Sequence, residues 1–188
     1  TPSPWVNVMA NPDFGTMVSE SGGGFTWFGN SQRNRLTQWT NDPVLDPPFE
    51  VVYLRDEQTG DVWTTTPLPI RSVASCRVRH AAGYTLLERH RFGIGQELQQ
   101  FVPNDDAGGA PVKCQQITLH NDTDRWRELS VIFYVELTLG EHRETAQMHT
   151  ITHWDRRSST LLAYNRYHPE YGERVAFVTL DPSPESYT

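Results

Sequence analysis

Apolar and polar positions alternate with a period of two along most of this chain, and the alternation begins in earnest near residue 50. EVVYLRD (50–56) and DVWTTT (61–66) flank a Gln-Thr-Gly turn and predict a hairpin. SCRVRH (75–80) alternates; YTLLERHRF (84–92) and IGQELQQFV (94–102) meet at Gly93. VKCQQITLH (112–120) alternates on Val112, Cys114 and Gln116, then changes phase at Ile117, which predicts a bulge. RELSVIFYVELTL (127–139) is the longest apolar strand, and segments 149–154, 158–164 and 174–180 complete the set. Asn104–Pro111 and Asn121–Asp124 read as loop and turn. No stretch of a dozen residues carries a helical stripe; residues 140–148 are the best short helix candidate. Many short strands with hairpin turns predict an all-β, antiparallel β-sandwich.

The first third of the chain has a different texture. Residues 1–12 are broken by Pro and carry Trp5 as an expected anchor. TMVSE (16–20) and GFTWF (24–28) predict two short strands around Gly22–Gly24. Residues 29–49 hold five Asn or Asp and three Pro with no regular period, and read as one long ordered loop packed by Leu36, Trp39 and Phe49. Loops of that length in compact domains carry function or are disordered. Residues 11–69 as a whole concentrate three Trp, a Gly triplet and many amides. Rings that stack on sugar faces and planar groups that bond hydroxyls give a carbohydrate-site wall that composition.

Composition narrows the classes. A chain of 188 residues is about one domain. Hydrophobic residues make up 37%, enough for a core, and 13 Gly with 13 Pro imply many turns. The net charge of −7 is dispersed, and Lys113 is the sole lysine. With no basic run, nucleic acid is an improbable partner. No apolar run reaches the length of a membrane span, and no signal peptide is evident. The expected location is cytoplasmic. Cys76 and Cys114 lack Cys or His at metal spacing and read as reduced core thiols, a single disulfide being the alternative.

Candidate chemistry is sparse. Glu20, Asp42, Asp46, Asp56 and Glu57 are the carboxylates of the unusual region, but turn roles explain most of them. Arg33, Arg35, Gln38, Trp39, Asn41 and Asp42 form a planar-donor and indole cluster, suited to a sugar or to docking on another domain. His149 and His153 have no third ligand nearby, and neither HExxH nor GxSxG occurs. His80 with Glu88, or His90 with Glu97, are the pairs that a mutarotase-like reading would need.

The string NPDFG, SESGGGFTW, NSQRNRLTQWTNDPV, YLRDEQTGDVW and TPLP resembles the amino-terminal β-sandwich of glycoside hydrolase family 94. RVRHAAGYTLLERHR, FVPNDD, LSVIFYVELTLGEHRETAQMHT and RVAFVTLD resemble its cyclic β-1,2-glucan synthase branch. The resemblance covers about residues 5–181 and departs from the family at Gln32 and Gln38. It implies a galactose-mutarotase-like supersandwich, incomplete at its carboxy-terminal strands, with residues 1–188 as one domain of a larger enzyme. It implies that an (α/α)6 barrel carries the catalytic acid, so no catalytic residue transfers to this chain. Inorganic phosphate is then a co-substrate of the parent, and no cofactor is expected here. The implied partners are the barrel, a β-glucan oligosaccharide and a second copy of the chain. Any inner-membrane anchor of the parent would lie outside this chain. A stand-alone carbohydrate-binding module with Trp27, Trp39 and Trp63 as stacking rings is the alternative.

Overall fold

A computed structural model describes residues 3–104 and 109–188. The middle of the expected Asn104–Pro111 loop, 105–108, lies outside the described residues. The described chain is all-β, with one short helix, α1 (Arg143–Ala146), inside the expected helical segment.

Four antiparallel sheets form. The first joins β1 (Val6–Ala10), β2 (Phe14–Ser19), β3 (Gly24–Phe28), β4 (Arg35–Thr37) and β12 (Leu137–Gly140), in that order. The second has the order β10 (Cys114–Asn121), β9 (Ile94–Phe101), β8 (Tyr84–Arg91), β7 (Cys76–Ala81). The third is β11 (Leu129–Val135), β5 (Glu50–Asp56), β6 (Val62–Thr64). The last comprises β13 (Ile151–Asp155), β14 (Thr160–Tyr164) and β15 (Ala176–Thr179).

The sandwich core lies between the second and third sheets. Val52 of β5 meets Leu87 and Leu98 across the gap, with Val78, Ile117 and Phe133 around them. Beside them Leu54, Trp63 and Ile94 form a second group against Leu119 and Leu129. Each such side chain contributes about 1.5–3 kcal/mol by leaving water. A separate group, Met9, Phe14, Val18 and Val102, seats the first sheet. The inward row of β7 to β10 is set by register, which pairs Leu87 with Leu98 and Leu98 with Ile117.

Several sequence expectations change. The register of β9 with β10 runs unbroken from Cys114 to Asn121, so there is no bulge at 116–117. The phase reading failed because Gln115 shares its face with Ile117 and Leu119, while Cys114 and Gln116 point the other way. Lys113 and Gln115 tolerate that inward side because both reach a buried carboxylate, Glu50. The long strand expected at 127–139 divides at Glu136, whose N–H donates to Phe49 O (2.8 Å) and whose carbonyl accepts from Gln38 N–H (3.2 Å). β11 therefore stays with β5, whereas β12 pairs with β4. The expected loop 29–49 contains that short strand β4, whose Thr37 hydroxyl accepts the Thr26 N–H. The Pro-rich start supplies β1, and Trp5 is 73% exposed, so it anchors nothing by burial. Cys76 and Cys114 are free and half-buried. They sit on the two outer strands of a four-stranded sheet, about 14 Å apart or more at strand spacing, too far to pair.

Candidate functional site

The unusual region folds into a stacked aromatic face. Phe25 and Trp39 lie nearly parallel at 4.7 Å between ring centroids, and Trp27 leans on Phe25 at 5.2 Å. The Arg35 guanidinium covers this stack, 5.4 Å from the Trp39 centroid and 5.5 Å from that of Phe25. Trp27 and Arg35 are cross-strand partners, which is why the cation arrives there. Trp27 also faces Gly15 across β2 and β3. A Cβ at Gly15 would stand 2.3 Å from the indole, so only glycine lets the ring lie against the strand.

Beneath this face lies a polar interior that the sequence reading missed. Glu50 Oε1 accepts hydroxyl donors from Thr26 and Thr37, each at 2.7 Å. Its Oε2 accepts Lys113 Nζ at 2.7 Å, with both side chains only 10% exposed. Burial pushes this carboxyl's pKa up, but the Lys113 charge and the bonds from Lys113, Thr37 and Thr26 outweigh it and hold the group below its usual value. The lone lysine of the chain was the one available signal. Asp56 is likewise fully buried. Its Oδ1 accepts the N–H of Gln58 (2.8 Å) and Thr59 (3.2 Å), and Arg127 grips Oδ2 with Nε at 2.9 Å and Nη2 at 2.5 Å. Burial raises its pKa, and these bonds more than reverse the effect.

The six candidate residues take different positions. Arg35 and Trp39 meet on the aromatic face, as just described. Gln38 is structural in its contacts: its side-chain oxygen accepts from Thr138 at 3.3 Å. Asn41 is exposed at a positive φ of 53°. Asp42 Oδ1 accepts the N–H of Val44 (2.9 Å) and Leu45 (3.0 Å), an Asx-turn. That turn leaves Val44 79% and Leu45 61% exposed. Arg33 points to a different loop, where it meets Glu170 at 2.6 Å. The contiguous span thus serves two separate surfaces.

The remaining candidates resolve by geometry. Trp63 has no exposed surface and donates its Nε1–H to Gln96 Oε1 at 2.9 Å, so it cannot be a stacking ring for a ligand. Ser19 donates to Asp46, and Ser130 donates to Glu57. His80 pairs with Thr85 and Glu88 with Arg77, three register steps apart and on opposite faces of the sheet, so the two do not oppose each other. His90 and Glu97 share a solvent groove of about 630 Å³, where His90 Nε2 pairs with Asp122 at 2.9 Å. Among the described residues, no three His, Cys, Asp or Glu side chains are grouped to hold a metal. No helix there is long and apolar enough to cross a membrane.

Comparison with known proteins agrees with this architecture. The family model described as the glycosyl hydrolase 94 supersandwich domain matches residues 1–188. The chain is 36% identical over 190 residues to the cyclic beta-(1,2)-glucan synthase NdvB of Rhizobium meliloti, covering all of this chain and 6% of that protein. It is 27% identical over 154 residues to the N,N'-diacetylchitobiose phosphorylase of Vibrio proteolyticus, covering 80% of this chain and 19% of the relative. A solabiose phosphorylase of Paenibacillus borealis matches at 28% over 163 residues, covering 82% of this chain and 20% of that enzyme. The chain therefore spans a fifth or less of each of these relatives. A match over the full length and an antiparallel supersandwich agree: this chain belongs to the glycosyl hydrolase 94 supersandwich-domain family.

Proposed function

We propose that this domain is a non-catalytic architectural part of a family 94 glycoside phosphorylase or cyclic β-1,2-glucan synthase-like enzyme. It docks on a catalytic (α/α)6 barrel and holds the 30–44 loop beside the glucan site. In the parent, phosphate attacks the anomeric carbon with inversion while a barrel carboxylic acid protonates the leaving oxygen. The domain contributes a wall and a docking tip, and it works in the cytoplasm with the rest of its parent. A homodimer belongs to the same reading.

The observation that carries this reading is the tip after Asp42. Two aliphatic side chains, Val44 and Leu45, are held out to solvent by an ordered Asx-turn. Exposed apolar groups on a fixed loop suit a protein partner. Asp42, Asp46, Asp56 and Glu57 are engaged in turns, hydroxyl contacts or ion pairs, which suits a supporting role.

Calorimetric titration of this chain into the separately produced remainder of its parent tests the reading. Val44→Ser with Leu45→Ser should weaken association by about tenfold or more, given how few interface residues carry most binding. Association that is absent, or indifferent to both substitutions in a folded variant, would refute docking through this tip. The alternative, a self-sufficient carbohydrate-binding module, would instead quench Trp fluorescence on adding oligosaccharide without any partner.

A further inference from the structure

A cleft of about 380 Å³ opens where the 30–33 turn, the α1 turn and the 165–170 loop converge. That volume falls within the range of small-molecule sites, ~300–1,000 Å³. Its floor is fixed by hydrogen bonds. Asn165 is buried; its Nδ2 donates to Leu139 O at 3.1 Å, and its Oδ1 accepts the Tyr167 N–H at 3.1 Å. His168 Nδ1 accepts the N–H groups of Glu170 (3.2 Å) and Tyr171 (3.1 Å). The ring proton therefore resides on Nε2, which donates to Arg33 O at 2.9 Å. That bond ties one wall of the cleft to the other. Tyr171 extends the tie, set edge-on to Phe28.

The rim is less easily explained by stability. Tyr167 is 76% exposed as a residue, yet its ring is held against His149 with centroids 4.5 Å apart. Arg33 and Glu170 meet while 63% and 50% exposed. An exposed pair of this kind contributes little to folding. An open phenol ring beside a planar guanidinium and a carboxylate, over a rigid floor, offers what a pyranose needs: a flat surface for its C–H face, and donors and acceptors for its hydroxyls. The larger groove over β7 to β10 has charged and imidazole groups but no Tyr, Trp or Phe in its lining. The Trp39 stack is already covered by Arg35.

We propose that this cleft is a subsite for one pyranose ring of a β-linked gluco-oligosaccharide. The sugar face stacks on Tyr167, and its hydroxyls are held by Arg33 and Glu170. The assignment of the ligand as a glucan rests on the reading under Proposed function; the location of the subsite does not use the Val44–Leu45 tip.

The test is a titration of this chain with the β-1,2-linked glucose disaccharide, followed in amide nitrogen–proton correlation spectra. Saturable shifts should concentrate at Arg33, residues 140–149 and residues 165–170. Tyr167→Ala and Arg33→Ala should each weaken binding about tenfold, and Trp39→Ala less than about twofold. No saturable shift across a titration reaching millimolar disaccharide would overturn the proposal. So would shifts centred on Trp27 and Trp39, or undiminished affinity in a Tyr167→Ala variant whose spectrum is otherwise native. Association with the remainder of the parent is measured apart. If association survives while the sugar fails to bind, this subsite alone is lost; if the sugar binds without association, docking alone is lost.

Discussion

Glu50 with Lys113 and Arg33 with Glu170 close at 2.7 and 2.6 Å, but the first pair is 10% exposed on both sides and the second 63% and 50%. Geometry does not separate them; surroundings do. In the interior, water cannot replace a lost partner, so each ion depends on the other. At the surface it can, so the pair is free to exchange its partners for a ligand's hydroxyls. The same division runs through the aromatic residues. Trp63 is sealed in the core, whereas Tyr167 stands open over a rigid floor.

The largest effect should come from breaking the interior pair. Lys113→Ala leaves a buried carboxylate uncompensated and should cost about 3–5 kcal/mol in denaturant unfolding. Glu50→Gln combined with Lys113→Met should recover most of that loss; a loss equal to that of Lys113→Ala would mean that packing, not charge, is at stake. Acid should have a related effect. Glu50 titrates below its ordinary 4.5 in the folded chain, so its stabilising contribution is complete above that pH and drains away as pH falls through the lower, folded value. Asp56, held below its ordinary 3.8, acts in the same direction at lower pH. Unfolding midpoints measured in steps down from neutral pH should stay flat and then fall, and Glu50→Gln should flatten the upper part of that fall.

Next in size is Gly15→Ala. The added methyl must displace the Trp27 ring, and overpacking of this kind costs about 1–3 kcal/mol. Trp39→Ala removes one half-buried stacking partner of Phe25 and a seat for Arg35, and should cost about 1 kcal/mol. A loss several times larger would make Trp39 a core residue. The smallest change belongs to the surface: Arg33→Ala should shift stability by less than about 0.5 kcal/mol while changing sugar binding as described above.

These contrasts explain which features were legible in the sequence. The antiparallel sandwich was legible because inward positions alternate along single strands, Thr85, Leu87 and Arg89 in β8 and Ile94, Gln96 and Leu98 in β9, and burial imposes that period on a strand. The strand exchange at Glu136 was not, because the apolar run 129–139 continues through it; only the pairing of Phe49 and Gln38 with that residue's backbone divides the run. Lys113 and Gln115 misled the phase of β10, since a polar residue points inward when a buried acid waits there, and no local pattern reveals the acid. The candidate span was visible as an amide-rich, indole-rich stretch, but its division was not. Arg33 and Arg35 are two residues apart in sequence and serve different surfaces, because Arg33 meets Glu170 far along the chain. His149 lay in a segment read as ordinary strand, and Tyr167 and Glu170 lay between two expected strands with no motif around them.

On the proposed function, this domain supports glucan chemistry without performing it. Incubating this chain alone with β-1,2-linked glucan or cellobiose and inorganic phosphate, with glucose-1-phosphate as the readout, tests that claim most directly. No phosphate-dependent release above the protein-free control is expected. Sustained turnover that co-purifies with the chain would contradict it.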